Sequence, residues 1–199
     1  MTKTLAQHWR DEFEGRGQTP IFWQAQARSL LCAANVLRER VRDIDRGRIS
    51  APPEREDPRN LRLMPVYVLY GYALENLVKG LLVARGENAT WSGTLDKGLR
   101  HHCLTDLFRV ADVRTEADER RLLEDLRDAI ESGKYPVGIR PQNRSRTLGL
   151  DVPGDFEIIF ALFRRIEDSL RQICLDGALV PVEPSTLGLS PPERSDGSA

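Results

Sequence analysis

The side chains of this sequence that could do chemistry fall into three groups. The first is a charged pair, Glu75 and Lys79, inside an otherwise apolar stretch from Leu61 to Val83. Four residues apart, with the carboxylate on the N-terminal side, the two can meet on one helix face. They read either as a salt bridge at the edge of a bundle or as the polar lining of a cleft. The second group is His101-His102-Cys103, with Asp106 about one helical turn beyond His102. Neighbours on a helix diverge by about 100°, so these donors do not readily converge on one ion. No second His or Cys cluster completes a tetrahedral set, and no metal site is assigned. His102 is expected to cap the short helix that follows and His101 to face solvent. Cys103 is a weak nucleophile candidate, because sequence neighbours seldom have catalytic geometry.

The third group is the run KYPVGIRPQNRSRTLGL, Lys134 to Leu150. It carries Lys134, Arg140, Arg144 and Arg146 and no acid, in a chain that elsewhere interleaves both signs. With Lys97, Arg100 and His102 it could form a basic rim, to which Tyr135 adds a stacking ring and Asn143 and Ser145 neutral donors. Phosphate or single-stranded RNA is the chemistry such a rim suits. The alternative is a solvated loop neutralised by acids such as Asp125 and Glu131.

Composition bounds the rest. The 199 residues carry 29 basic and 30 acidic side chains, a formal charge of −1, so no overall field draws nucleic acid or acidic membranes. Apolar residues make up 40% and charged residues 30%, ordinary for a globular chain. Cys32, Cys103 and Cys174 are odd in number and widely spaced, which fits reduced thiols in a cytoplasm. The N-terminus has no apolar run suited to secretion. The longest apolar stretch, Met64 to Leu74, falls short of the ~20 residues that span a bilayer. P-loop, dinucleotide, nucleophile-elbow and H-E-x-x-H patterns are missing.

The elements that must position these groups are helices. Trp23, Ala27, Leu30, Ala34, Leu37, Val41 and Ile44 form one apolar seam, opened by Thr19 as N-cap and Pro20 at the first helical position. Phe156, Ile159, Phe163, Ile166, Leu170 and Ile173 form a second, opened by Pro153 and Asp155 and closed by Gly177. The stretch between, apolar on nearly every side, belongs at the centre of a bundle, with Pro65 in its first turn and Gly71 permitting close approach. Shorter helices are expected after His102 and over about 115–131, the latter with Thr115 and Asp118 at capping-box spacing. A helix over residues 3–15, with Leu5, Trp9 and Phe13 on one side, packs on the outside. Cys32 and Cys174 are expected to act as small hydrophobes. Residues 48–60, 86–100 and 133–152 read as loops. The whole is an all-α up-and-down bundle of four or five helices over residues 1–177, with an extra N-terminal helix and a flexible tail over 178–199.

Three short matches in order resemble the HEPN (higher eukaryotes and prokaryotes nucleotide-binding) family. Ala73-Leu74-Glu75, Lys79 and Leu81-Leu82 look like its A-x-E-x-x-x-K-x-L-L stretch. His102-Cys103-Leu104-Thr105-Asp106-Leu107 is similar to its H-x-L-x-x-L helix opening, and Lys134-Tyr135-Pro136 to its R-Y-P, with lysine replacing arginine. The resemblance spans roughly residues 60–175 and implies a bundle that is often dimeric. It also implies roles around RNA, nucleotides, toxin–antitoxin systems or phage defence. Active members of the family use R-x(4–6)-H as a metal-independent ribonuclease motif. Here none of His8, His101 and His102 has an arginine at that spacing, and the last helix has no histidine. Cleavage by that route lacks its proton carrier.

The sequence thus points to a non-catalytic, HEPN-like cytoplasmic module without cofactor. It is expected to bind a protein or RNA partner and to form a homodimer through its long helices. Two alternatives stand beside it: an RNA- or nucleotide-processing enzyme with a non-standard site near Glu75, Lys79, His102 and Tyr135, and a structural bundle with no nucleic-acid role.

Overall fold

The computed structural model describes residues 4–49, 59–91, 93–134 and 154–179. Among these the architecture is all-α. They form six helices and one minimal hairpin: α1 (Leu5–Gly17), α2 (Pro20–Asp45), α3 (Arg59–Ala84), β1 (Thr90–Trp91), β2 (Thr94–Leu95), α4 (Leu104–Val110), α5 (Ala117–Lys134) and α6 (Asp155–Leu179).

α3 is the axis of the bundle, touching α2, α4, α5 and α6. Tyr67, Tyr70, Leu74, Leu77 and Leu81 are fully buried along it. Each such side chain contributes roughly 1.5–3 kcal/mol relative to exposure, which is why a helix apolar all round takes the centre. Taken with its single Glu75–Lys79 pair, Leu63–Ala84 is long and apolar enough to cross a membrane, which corrects the sequence reading that the apolar stretch is too short, and most of it is buried within the bundle.

Both seams face this axis. Ala27, Ala34 and Val41 of α2 are buried, as are Ile159, Phe163, Ile166 and Leu170 of α6. Cys32 and Cys174 lie off the seams and are exposed, so they do not act as core hydrophobes. Two glycines of α3 set close approaches to neighbouring helices. A Cβ at Gly71 would stand 2.8 Å from Ile130 Cδ1 of α5, and one at Gly80 would stand 2.9 Å from Trp23 Cβ of α2. Tyr70 ties three helices together. Its hydroxyl donates to Asn35 Oδ1 at 2.6 Å and its ring lies edge-on to Phe160.

Several boundaries differ from the sequence reading. α3 begins at Arg59, which places Pro65 in its second turn, where its missing N–H costs one backbone bond. The cap of α5 is shifted by one residue, because Glu116 N–H donates to Glu119 Oε2 at 2.9 Å while Thr115 O accepts from Arg120. α5 continues through Gly133 to Lys134, and α6 runs past Gly177 to Leu179. The first two residues of the expected tail are therefore helical, and 180–199 lie outside the described residues.

α1 lies on the outside of the bundle, over Leu5–Gly17 rather than residues 3–15. It has no buried residue: Leu5 and Trp9 are largely exposed, and only Phe13, about half covered, borders α2 and the hairpin. A capping box holds its first turn, with Thr4 N–H donating to Gln7 Oε1 and Gln7 N–H to Thr4 Oγ1. The helix meets the rest of the chain through Gly17 packed against the Thr90 methyl, Arg16 over the Phe22 ring and a set of polar contacts. Gln18 Nε2 donates to Thr90 O at 3.0 Å and Gly93 N–H to Glu14 Oε1 at 2.7 Å.

Candidate functional site

The first two chemistry-bearing groups meet in space. Glu75 and Lys79 are each only 4% exposed, so the pair is an interior one and the bundle-edge reading is set aside. Lys79 Nζ donates to Glu75 Oε1 at 2.6 Å. His102, from the segment that leads into α4, places Nδ1 at 2.9 Å from Glu75 Oε2 and 3.1 Å from Oε1. One carboxylate thus bridges an ammonium on its own helix and an imidazole 27 residues away.

This corrects the expected role of His102 as a helix cap. Cys103 occupies the N-cap position of α4 without a side-chain cap bond. His102 is drawn instead to the buried carboxylate, the stronger acceptor. His101 accepts from Cys103 N–H at 3.3 Å and is partly covered, which corrects its placement in solvent. The Tyr72 ring packs edge-on against His102 with centroids 5.8 Å apart, holding the imidazole plane.

A carboxylate at Nδ1 fixes the orientation of the imidazole and leaves Nε2 as its other polar atom. His102, with a side chain 35% exposed, is therefore the member of the group within reach of solvent. Cys103 Sγ contacts Thr105 Oγ1 at 3.4 Å, and the Nδ1 face of His102 is turned to Glu75, so no Cys–His pair forms through that nitrogen. Among the described residues no three His, Cys, Asp or Glu side chains converge as metal ligands.

The basic rim falls mostly outside the described residues. Lys134 ends α5, and Tyr135, Arg140, Arg144 and Arg146 lie beyond it in the undescribed segment. Arg100 is exposed and donates through Nε to Leu95 O, tying it to the hairpin. Asp125, one of the acids expected to neutralise the loop, accepts from Arg121 at 2.7 Å.

A second buried charge gave no sign in the sequence beyond its position at a helix start. Asp155, fully buried in the first turn of α6, accepts from Tyr67 Oη at 2.8 Å and from Arg121. Arg121 in turn bridges to Asp125. The group joins α3, α5 and α6 and is built from residues 34 to 88 positions apart.

A further surface feature is the outer face of α1. Leu5, Trp9 and Phe13 are 70%, 60% and 43% exposed, and Ile21 and Phe22 at the start of α2 are 59% and 50% exposed. Phe13 and Phe22 share an open, mostly apolar hollow of about 320 Å³ with Trp23, Leu95, Asn76 and Arg16. Compared with known proteins, the chain matches no family model, no curated protein and no solved structure.

Proposed function

We propose that the chain is a non-catalytic, HEPN-like helical module that docks a protein partner on α1. The observation that carries this reading is the inverted placement of that helix. α1 turns Glu14 and the adjoining Gln18 toward its own chain and Leu5 and Trp9 toward solvent, with Phe13 at the rim of the hollow beside Phe22. Apolar burial is the main favourable term in folding, so a helix pinned by its polar side, with its apolar side out, is arranged for another surface. The buried Glu75–Lys79–His102 group then acts as a brace that fixes the segment entering α4 against α3.

The test is the combined Leu5→Gln, Trp9→Gln, Phe13→Gln variant, unfolded in urea at high dilution. None of the three side chains is buried, so the stability of the isolated chain should stay within about 0.5 kcal/mol of the parent. A loss above about 2 kcal/mol would show that the stripe packs within its own chain and would end the proposal.

One observation favours a second reading, an enzyme acting on RNA or nucleotides. The Glu75–His102 contact orients an imidazole as a general base requires. Incubating the purified chain with labelled RNA, with and without divalent metal, tests it. Cleavage that disappears in His102→Ala would establish the enzyme, and intact RNA in both proteins would remove it.

A further inference from the structure

We infer that the occupant of the α1 face is α1 of a second copy, paired antiparallel about a two-fold axis through Trp9. This rests on the reading of α1 as a docking face. Leu5 and Phe13 each stand four residues from Trp9. An antiparallel pair centred on Trp9 therefore sets Trp9 against Trp9 and Leu5 of each copy against Phe13 of the other. Such self-complementarity is what a two-fold interface requires.

The surroundings of Phe13 match this arrangement. Phe13 borders the 320 Å³ hollow, and Leu5 of the second copy, arriving opposite Phe13, is placed to enter it as an anchor between Phe22 and Leu95. On the flank carrying His8 and Glu12, Glu12 is already paired with Arg16 of its own helix at 2.6 Å, so the contact between copies is apolar in character. The opposite flank is already occupied within the chain, since Arg10 lies against Gly93. The exposed apolar residues of α1 and the start of α2 offer on the order of 500 Å² per copy, or about 1,000 Å² for two. That reaches the lower end of specific interfaces, so the dimer should be concentration-dependent.

Sedimentation velocity of the full chain from micromolar to near-millimolar concentration should show the mass rising toward twice 22.5 kDa. Trp9→Gln should remain at the single-chain mass with unchanged helical circular dichroism. In a background with Cys32, Cys103 and Cys174 replaced by serine, a short bis-maleimide should link Trp9→Cys chains to one another. Leu5→Cys and Phe13→Cys chains should link when mixed but not when each is alone. A single-chain mass at every concentration overturns the inference, as does a dimer that Trp9→Gln leaves intact or self-linking of Leu5→Cys alone. If the triple glutamine variant is as stable as the parent while the parent stays monomeric, only the second copy is refuted and the docking face stands. If that variant is strongly destabilised, both fall.

Discussion

Replacing Glu75 by leucine would leave the Lys79 ammonium inside the bundle without its carboxylate. Lys79 and Glu75 side chains are each 5% exposed, so water cannot take over the lost contact. Removing one partner of such a pair costs roughly 3–5 kcal/mol. In a chain of this size each kcal/mol shifts the midpoint by roughly 2–4 °C, so Tm should fall by about 6–20 °C. Lys79→Met should cost less, about 1–3 kcal/mol, because Glu75 keeps its contact with His102 Nδ1. The Glu75→Leu, Lys79→Met double variant removes both charges and fills the space, and should return to within about 1 kcal/mol of the parent. Urea unfolding followed by circular dichroism measures all four corners of the cycle. Hydrogen exchange should also show residues 100–104 opening faster in the double variant, since His102 has lost its anchor. Additive costs, or a Glu75→Leu loss below about 1 kcal/mol, would refute the description of the pair as a desolvated, mutually dependent unit.

Three further outcomes follow from the packing. Tyr67→Phe deletes a donor to the fully buried Asp155 and should cost about 1–3 kcal/mol in urea unfolding, whereas Phe160→Leu leaves that acid satisfied. Gly71→Ala drives a methyl against Ile130 Cδ1 and should destabilise by about 1–2 kcal/mol despite its better helix propensity; the loss should shrink in an Ile130→Val background, which lacks that carbon. Burial alone would raise the pKa of Glu167, but hydrogen bonds from Arg28 and Gln24 hold it below the ordinary 4.5. A carboxylate lowered on folding stabilises fully above its unfolded value and loses that contribution as pH falls through the folded one. The stability difference between the parent and Glu167→Gln should therefore be present at neutral pH and vanish below pH 4.5. It should amount to no more than about 0.5 kcal/mol, because Arg28 is largely exposed.

Much of the fold was legible because helix formation and core facing are written locally. The steps between Trp23 and Ile44 and between Phe156 and Ile173 already define one buried face each, and burial of Ala27, Ala34, Ile159 and Ile166 follows from that period. Gly71 was legible for the same reason, since a residue without a side chain on an apolar helix invites a neighbour. The cap of α5 falls at Glu116 and not at Thr115, a shift of one residue that local spacing does not resolve because Thr115–Asp118 and Glu116–Glu119 stand equally far apart.

The site was only half legible. Glu75 and Lys79 announce themselves by spacing, since i and i+4 is a property of one helix. That His102 turns to Glu75 depends on where the chain between α3 and α4 returns, and sequence separation carries no record of that path. The Tyr67–Asp155–Arg121 group has the same origin, three helices meeting at a point. The amphipathic stripe of α1 was visible in the sequence, but which side faces the bundle was decided by Gln18 and Glu14 finding backbone partners at Thr90 and Gly93. Periodicity reports which residues share a face. Only the packed structure decides what that face meets.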